Sequence, residues 1–356
     1  MAMELIDPII QKFVVLGNKK NRKIKCAYCG DWLNVSIVPH IKREHPEIWA
    51  SWLQNFVTLF NQGASCKQIM KKYNTLFSWT VIEGEIKKFA ERNSESIQFL
   101  PKAQIKEWKP KNFKLERTTV WRFTKRGDWA VHTSNYRGNW SPQVPRNLIL
   151  QYSKRGETVL DPFVGGGTTL IECFLEGRNA IGVDINPIAV RMTKQKIAEL
   201  KNASKLNPKF KLPKVKIEVR LDDARDLNFI ETESIDLICA HPPYANAMEY
   251  TFSQNKDLSR IKNIDAFCEE MGKVAHELYR VLRKKRKCAV LIGDVRKKNQ
   301  FIPLEYYVMQ KFTDQGFKLY ERIVKEQFND KSTTFFLDMG RGRHRIAHEF
   351  LLIFEK

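Results

Sequence analysis

The sequence predicts a doubly wound α/β domain with a mainly parallel sheet, preceded by a small N-terminal region of different character. Three observations carry this reading. From Thr118 onward, short apolar runs alternate with amphipathic stretches across short turns, the pattern of strand–helix–strand units. One of these runs enters a triple-glycine turn that opens a helix, the geometry by which parallel sheets hold ligands at the carboxyl ends of their strands. The only close pair of cysteines lies far upstream, at Cys26 and Cys29, in a basic stretch without that alternation.

The elements follow in order. A helix is predicted over 144–152, after the run Trp140-Ser141-Pro142-Gln143. Residues 157–161 (ETVLD) read as a buried strand and 168–176 as a helix. A second strand, 180–184 (AIGVD), leads to a helix over 187–200 with proline in its first turn, where a missing N–H costs nothing. Strands follow at 215–220 and 234–240 (SIDLICA), then a helix at 265–282, a strand at 288–293 (CAVLIG) and a helix at 303–315. Segments 317–324 and 346–354 (IAHEFLLIF) close a sheet of seven strands. Upstream, the chain divides into a Cys/His module (1–50), short helices (51–95) and a lysine-bearing linker (96–117), with the α/β domain occupying 118–356.

Composition narrows the function. Of 356 residues, 43% are apolar, so a packed core rather than disorder is expected. Basic residues outnumber acidic ones 19 to 10 before Leu115 and 42 to 30 from it onward, giving +9 and +12 of a net +21. Excess charge in both parts points to a polyanionic partner, most economically nucleic acid. No run approaches the ~20 apolar residues of a membrane span, and no signal pattern opens the chain. Seven scattered cysteines fit a reducing compartment rather than a disulfide framework. A cytoplasmic protein without a membrane partner is expected.

The glycine turn reads Asp161-Pro162-Phe163-Val164-Gly165-Gly166-Gly167-Thr168-Thr169. Glycines let the backbone turn sharply and approach a ligand. A Walker loop would carry lysine before its Ser/Thr; here Thr168 follows Gly167 directly. The next strand ends in Asp184, placed to accept hydrogen bonds from ribose hydroxyls. The segment resembles the cofactor loop of the amino-methylating DNA methyltransferases, DPF-x-G-[ST]-G-T-T, with Gly166 in place of the usual Ser or Thr. The resemblance implies a class I methyltransferase (Rossmann-like) fold. It implies S-adenosylmethionine as cofactor, with Asp161, Gly165 and Gly167 lining its methionine end, Asp184 at its ribose, and Pro162, Phe163 and Thr168 also cofactor-binding. Asp223, in Leu221-Asp222-Asp223-Ala224-Arg225, matches the family's acid beside the adenine ring. Trp140 and Ser141 fall where the family places another cofactor-contacting segment.

The fourth strand runs into His241-Pro242-Pro243-Tyr244, similar to the family's [DNS]-P-P-[YFW] catalytic loop in position and in three of four residues. An exocyclic amine is a poor nucleophile because its lone pair is delocalised into the ring. Acceptors aimed at its two N–H groups hold the nitrogen nearer tetrahedral geometry for in-line attack on the sulfonium methyl. Two prolines keep the loop preorganised, and the aromatic side chain stacks on a base drawn out of its helix. His241 departs from the oxygen-bearing residues of the family: a neutral imidazole offers one acceptor nitrogen, in one tautomer. Further segments resembling the family are 249–252 with Asp257-Leu258-Ser259, Asp294 after the fifth strand, and the terminal strand with His348; for Asp294 and His348 a structural role is expected.

In the first module, Cys26-x2-Cys29-x10-His40-x4-His45 has zinc-finger ligand types in order, with a Cys-Gly knuckle turn. A structural zinc is expected, with Trp32, Ile37 and Ile41 as a small core and the basic run 18–25 as a phosphate contact. Residues 56–89 read as a helix-turn-helix, with Lys87 and Lys88 toward phosphates. Together these indicate a site-specific DNA methyltransferase acting on the exocyclic amine of a flipped base in double-stranded DNA, cytosine N4 favoured over adenine N6. A cognate restriction endonuclease is compatible with this reading but not required by it, and oligomeric state is left open. The alternatives are an RNA base methyltransferase acting on guanine N2 or adenine, and a catalytically inactive DNA-binding regulator.

Overall fold

A computed structural model describes residues 14–16, 23–34, 38–49, 52–53, 56, 84, 105, 107–133, 136, 138–206, 214–244, 257–297, 300–327 and 344–356. The chain divides into two compact units, Met1–Ile97 and Gln98–Lys356. Of the helix-turn-helix expected over 56–89 only Phe56 and Gly84 are described; the rest of it, with Lys87 and Lys88, lies outside the described residues, as do Ile37 and the segment 249–252.

The first unit contains an antiparallel three-stranded sheet, β1 (Val14–Leu16), β2 (Lys23–Lys25) and β3 (Trp32–Asn34), followed by helix α1 (Val38–Glu44). Between β2 and β3 the chain reverses with Gly30 at φ +82°, and Cys26 N–H bonds Asp31 O at 2.7 Å. Ile24, Ile41, Trp49, Trp52 and Phe56 are buried. Trp32, expected in that core, is instead 50% exposed. The inward position of strand β2 is taken by Ile24, between exposed Lys23 and Lys25, and Trp32 stands directly opposite Lys25.

The second unit is built on one sheet. In chain order its elements are β4 (Val120–Trp121), α2 (Gln143–Tyr152), β5 (Thr158–Asp161), α3 (Thr168–Glu176), β6 (Asn179–Asp184), α4 (Pro187–Leu206), β7 (Ile217–Leu221), β8 (Ile235–Ala240), α5 (Ile264–Val281), β9 (Leu282–Ile292), the hairpin β10 (Val295–Lys297) and β11 (Gln300–Ile302), α6 (Leu304–Asp314), β12 (Lys318–Glu326) and β13 (His348–Glu355). Across the sheet the order is β4-β12-β13-β9-β8-β5-β6-β7. Pairs from β9 to β7 are parallel; β13 lies antiparallel between β9 and β12. This is the doubly wound, class I Rossmann-like arrangement, with one correction. The sheet has eight strands rather than seven, because Val120 and Trp121 pair in parallel with Val324 and Lys325 of β12. Two residues are too few to show a period of two, so nothing in the pattern marks β4.

Two hydrophobic clusters form the core. Leu237 and Cys239 of β8 join one of them, and Ile238 and Ala240 the other. Strand β8 is buried throughout, as expected of a central parallel strand read as a continuous apolar run. Its one charge, Asp236, is compensated: Thr158 N–H donates to it at 2.9 Å and Arg283 Nη1 at 2.5 Å. Because β5 and β8 are neighbours whose crossovers run in opposite directions, their carboxyl ends flank the switch point of the sheet, where such folds bind ligands. Among the described residues no helix is long and apolar enough to cross a membrane.

Candidate active site and Cys/His cluster

At the end of β5 the glycine turn is held from several directions at once. The buried carboxylate of Asp161 accepts from Phe163 N–H at 3.0 Å and from the Thr169 hydroxyl, tying the strand end to the start of α3. Asp184, at the end of β6, accepts from Gly165 N–H at 2.8 Å and from Asn186 N–H at 2.9 Å. Each of its oxygens accepts one of these backbone bonds and retains further acceptor capacity. From α4, Thr193 donates to Gly165 O at 3.0 Å and the buried Lys196 Nζ donates to Gly166 O at 2.8 Å. Burial lifts Asp161 to about 7, with neighbouring Asp184 adding to the rise against the Thr169 and Phe163 hydrogen bonds. Burial likewise lifts Asp184 to about 6 and lowers Lys196 to about 8.

The glycines are required largely by the protein's own packing. Gly167 has φ +81°, and a Cβ there would lie 2.8 Å from the Thr193 side chain. A Cβ at Gly166 would lie 2.3 Å from Asn139 Nδ2, and Asn139 Oδ1 accepts from Gly166 N–H at 3.0 Å. The amide of Asn139 therefore fills the space where a side chain at position 166 would stand. Pro162 and Thr168 are buried, and Phe163 packs half-buried against the hydrophobic core.

Strand β8 delivers His241-Pro242-Pro243-Tyr244 beside this turn. The His241 ring stacks on Trp140, with centroids 5.5 Å apart and planes 19° from parallel, and meets Tyr244 edge-on. His241 Nε2 lies 3.3 Å from the Tyr244 hydroxyl, which donates to Glu349 Oε1 at 2.5 Å. Lys325, cross-strand from Glu349, donates to Glu349 Oε2 at 2.8 Å. Burial pushes His241 down to about 4, with Lys325 and Arg126 helping and Glu349 opposing, so its imidazole is neutral near pH 7. Burial raises Glu349, but Lys325 and the other polar partners outweigh it and hold the group below the usual carboxylate range.

Residues 138–143 connect the two loops: Asn139 bonds the glycine turn and its neighbour Trp140 stacks on His241. Ser141 is engaged locally, its hydroxyl donating to Gln143 Oε1. Asp223 is held by Arg225, which donates to it from Nε at 2.9 Å and Nη2 at 2.6 Å and also reaches Glu270. Asp294 accepts from Glu305 N–H at the start of α6. Asp257 accepts from Ser259 N–H and starts a short 3-10 turn.

The sequence reading missed Asn139, Thr193, Lys196, Glu349 and Arg126. Arg126 Nη1 donates to Asn139 O at 3.0 Å, while Nε and Nη2 are buried without a partner among the described residues, as is Asn139 Nδ2. Desolvation lowers Arg126 to about 10. These are hydrogen-bond donors beside the glycine turn that want an acceptor. An amino-acid carboxylate, such as that of S-adenosylmethionine, fits them. A charged residue inside an apolar run, as at Glu349 in HEFLLIF, was the available signal for that position.

In the first unit, Cys26, Cys29, His40 and His45 bring their donor atoms within 4.8 Å of one another. Cys29 Sγ lies 3.2 Å from His40 Nε2 and Cys26 Sγ 3.7 Å from His45 Nε2. Ligands at about 2.3 Å (sulfur) and about 2.0 Å (nitrogen) from one tetrahedral ion lie roughly 3.3–3.8 Å apart. The two thiols and two imidazoles fit a zinc ion.

The chain belongs to the DNA methylase family of N6- and N4-directed amino-methyltransferases, whose family model matches residues 17–195 and 235–356. The type II methyltransferase M.MjaII of Methanocaldococcus jannaschii is 32% identical over 105 residues, covering 27% of this chain and 20% of that protein. A tRNA (guanine(10)-N2)-dimethyltransferase of Methanothermobacter thermautotrophicus is 31% identical over 126 residues, 35% of this chain and 33% of that protein. This chain thus spans a third or less of the length of these two relatives. A SAM-dependent methyltransferase structure from Methanosarcina mazei is 18% identical, covers 58% of this chain and 96% of that one, and has a TM-score of 0.38.

Proposed function

We propose that this protein is a site-specific DNA methyltransferase that transfers the methyl group of S-adenosylmethionine to the exocyclic amine of a flipped base, cytosine N4 before adenine N6. One observation carries the reading: a tightly held glycine turn and a proline-fixed His-Pro-Pro-Tyr loop sit at adjacent strand ends, bridged by Asn139 and Trp140. When bound, S-adenosylmethionine supplies an electrophilic methyl on a sulfonium. Asp184 would orient its ribose hydroxyls, and Arg126 with Asn139 would take its carboxylate. The N–C bond forms as the S–C bond breaks, and the amine loses one proton. The chain's contribution is positioning: Tyr244 supplies an aromatic face to the base, and His241 an acceptor to an amine N–H. A neutral first residue, rather than the anionic Asp usual for adenine, favours cytosine. A zinc ion on Cys26, Cys29, His40 and His45 would fold the first unit, whose exposed Lys23 and Lys25 are suited to phosphates.

The test is methyl transfer from labelled S-adenosylmethionine to unmethylated DNA carrying diverse sequence and to RNA in parallel, with nucleosides identified by mass spectrometry. N4-methyldeoxycytidine is expected. N6-methyldeoxyadenosine would keep the class and change the base; label in RNA alone would replace the reading with the RNA alternative. Tyr244→Ala should abolish transfer and leave cofactor affinity within about twofold, because the stacking face it removes, of roughly 1–3 kcal/mol, acts on the base.

A further inference from the structure

His241 stands where the related enzymes carry a side-chain oxygen, and its usefulness depends on which ring nitrogen bears the proton. The surrounding hydrogen bonds decide this. Glu349 is paired with Lys325 Nζ at 2.8 Å through Oε2. As a carboxylate it can only accept. The Tyr244 hydroxyl, 2.5 Å from Glu349 Oε1, therefore commits its single proton to Glu349. The phenolic oxygen meets His241 Nε2 at 3.3 Å as an acceptor, so that contact is a hydrogen bond only if Nε2 carries the proton. A neutral imidazole has one N–H, which leaves the lone pair on Nδ1. Two packing features hold the geometry. Trp140 stacks against the imidazole face at 5.5 Å, and Gly293, where a Cβ would stand 3.1 Å from the Tyr244 ring, leaves the tyrosine room.

We infer that Lys325, Glu349 and Tyr244 form a relay of positioning groups that locks His241 in its Nε2–H tautomer and so presents Nδ1 as the acceptor for the substrate amine. This rests on the methyltransferase reading for its function, but not for its chemistry. As the N–CH3 bond forms, the S–CH3 bond would break with its electron pair remaining on sulfur, and the N–H proton facing Nδ1 would pass onto the Nδ1 lone pair, giving a transient imidazolium that releases it to solvent. A locked imidazole thereby does the work of the oxygen acceptor, which needs no tautomer control. Among the described residues, the groups around the ring are Trp140, Tyr244, Glu349, Lys325 and Arg126, and Glu349 is the one carboxylate of these.

The experiment is two-bond 1H–15N correlation NMR on the full-length protein labelled in histidine, with His241 assigned by loss of its signals in His241→Asn. Wild type should show His241 neutral at pH 7 in the Nε2–H form, and Tyr244→Phe, which keeps the ring and deletes the relay, should show both tautomers. A wild-type Nδ1–H signal, an imidazolium, or a Tyr244→Phe tautomer unchanged from wild type would overturn the inference. Turnover provides the second arm. Tyr244→Phe should lower kcat about tenfold with the KM for S-adenosylmethionine unchanged, and should cost less than twofold in the His241→Asn background, where the acceptor is an amide oxygen. Equal cost in both backgrounds would sink the relay. Absence of methyl transfer by wild type would overturn the functional reading alone, since the NMR arm reads the tautomer without turnover.

Discussion

A guanidinium that has given up water without gaining a carboxylate is costly to fold around, and among the described residues Arg126 is in that position, with two of its nitrogens unmatched. That cost is understandable if a ligand supplies the missing anion. Replacing Arg126 with Gln should weaken S-adenosylmethionine binding about 10- to 100-fold, the range of one lost charge-assisted hydrogen bond of roughly 1.5–3 kcal/mol. It should leave the melting temperature of the ligand-free protein unchanged or raised. Calorimetric titration with thermal melts reads both; undiminished affinity would remove Arg126 from the cofactor site. A second residue-scale expectation concerns pH. Asp161, lifted by burial to about 7 from an ordinary 3.8, makes a stabilising contribution that is complete below its unfolded value and lost as pH rises through about 7. His241, depressed to about 4 from 6.5, has the opposite sign: its contribution is present above 6.5 and lost as pH falls through about 4. Denaturation of the ligand-free protein compared with Asp161→Asn should therefore show the wild type losing ground to the variant between pH 4 and 7. Parallel stability profiles would mean that Asp161 is ionised throughout.

At the scale of elements, the cofactor turn shows what a linear motif contains and what it omits. Strand–helix alternation located β5, α3, β6, β8 and β13 to within two or three residues, because apolar period and turn chemistry are local properties. The helix at 168–176 falls on the observed Thr168–Glu176. The supports of the turn are not local. Asn139, Thr193 and Lys196 reach it from 27, 28 and 30 residues away, and no period announces a polar side chain aimed inward. Gly166 is the case in point. Measured against the family pattern it looks like a lost serine; in the folded chain the Asn139 amide occupies that space. Introducing the family residue, Gly166→Ser, should then be harmful, with an overpacking cost of about 1–3 kcal/mol and an accompanying loss of cofactor affinity. Combining it with Asn139→Ala should recover most of the stability. Chemical denaturation of the two variants tests this; a single variant as stable as wild type would show that position 166 tolerates a side chain beside Asn139.

At the scale of the whole molecule, the charge of +21 is spread over both parts of the chain, while the Cys/His cluster belongs to one compact unit and the glycine turn and His-Pro-Pro-Tyr loop to the other. That Cys26, Cys29, His40 and His45 come together was legible because their spacing is written into the sequence. The exposure of Trp32 was not, since it depends on Ile24 taking the inward position of the small sheet. A sheet of this size has too little apolar surface to be stable alone, and a metal bound by the folded form only would supply much of its folding free energy. Cys26→Ser should therefore release zinc, measured by metal analysis of the purified protein, and weaken binding to duplex DNA by tenfold or more. The affinity for S-adenosylmethionine should stay within about twofold of wild type, because Asp184, the glycine turn and Arg126 all belong to the second unit. The salt dependence should change with it: if the first unit neutralises phosphates, its loss should flatten the slope of log affinity against log salt by about 0.9 for each phosphate contact given up. An unchanged slope with weaker binding would instead assign the first unit to shape or base contacts. Unchanged affinity altogether would leave DNA recognition to the second unit, with the Cys/His cluster serving some other end.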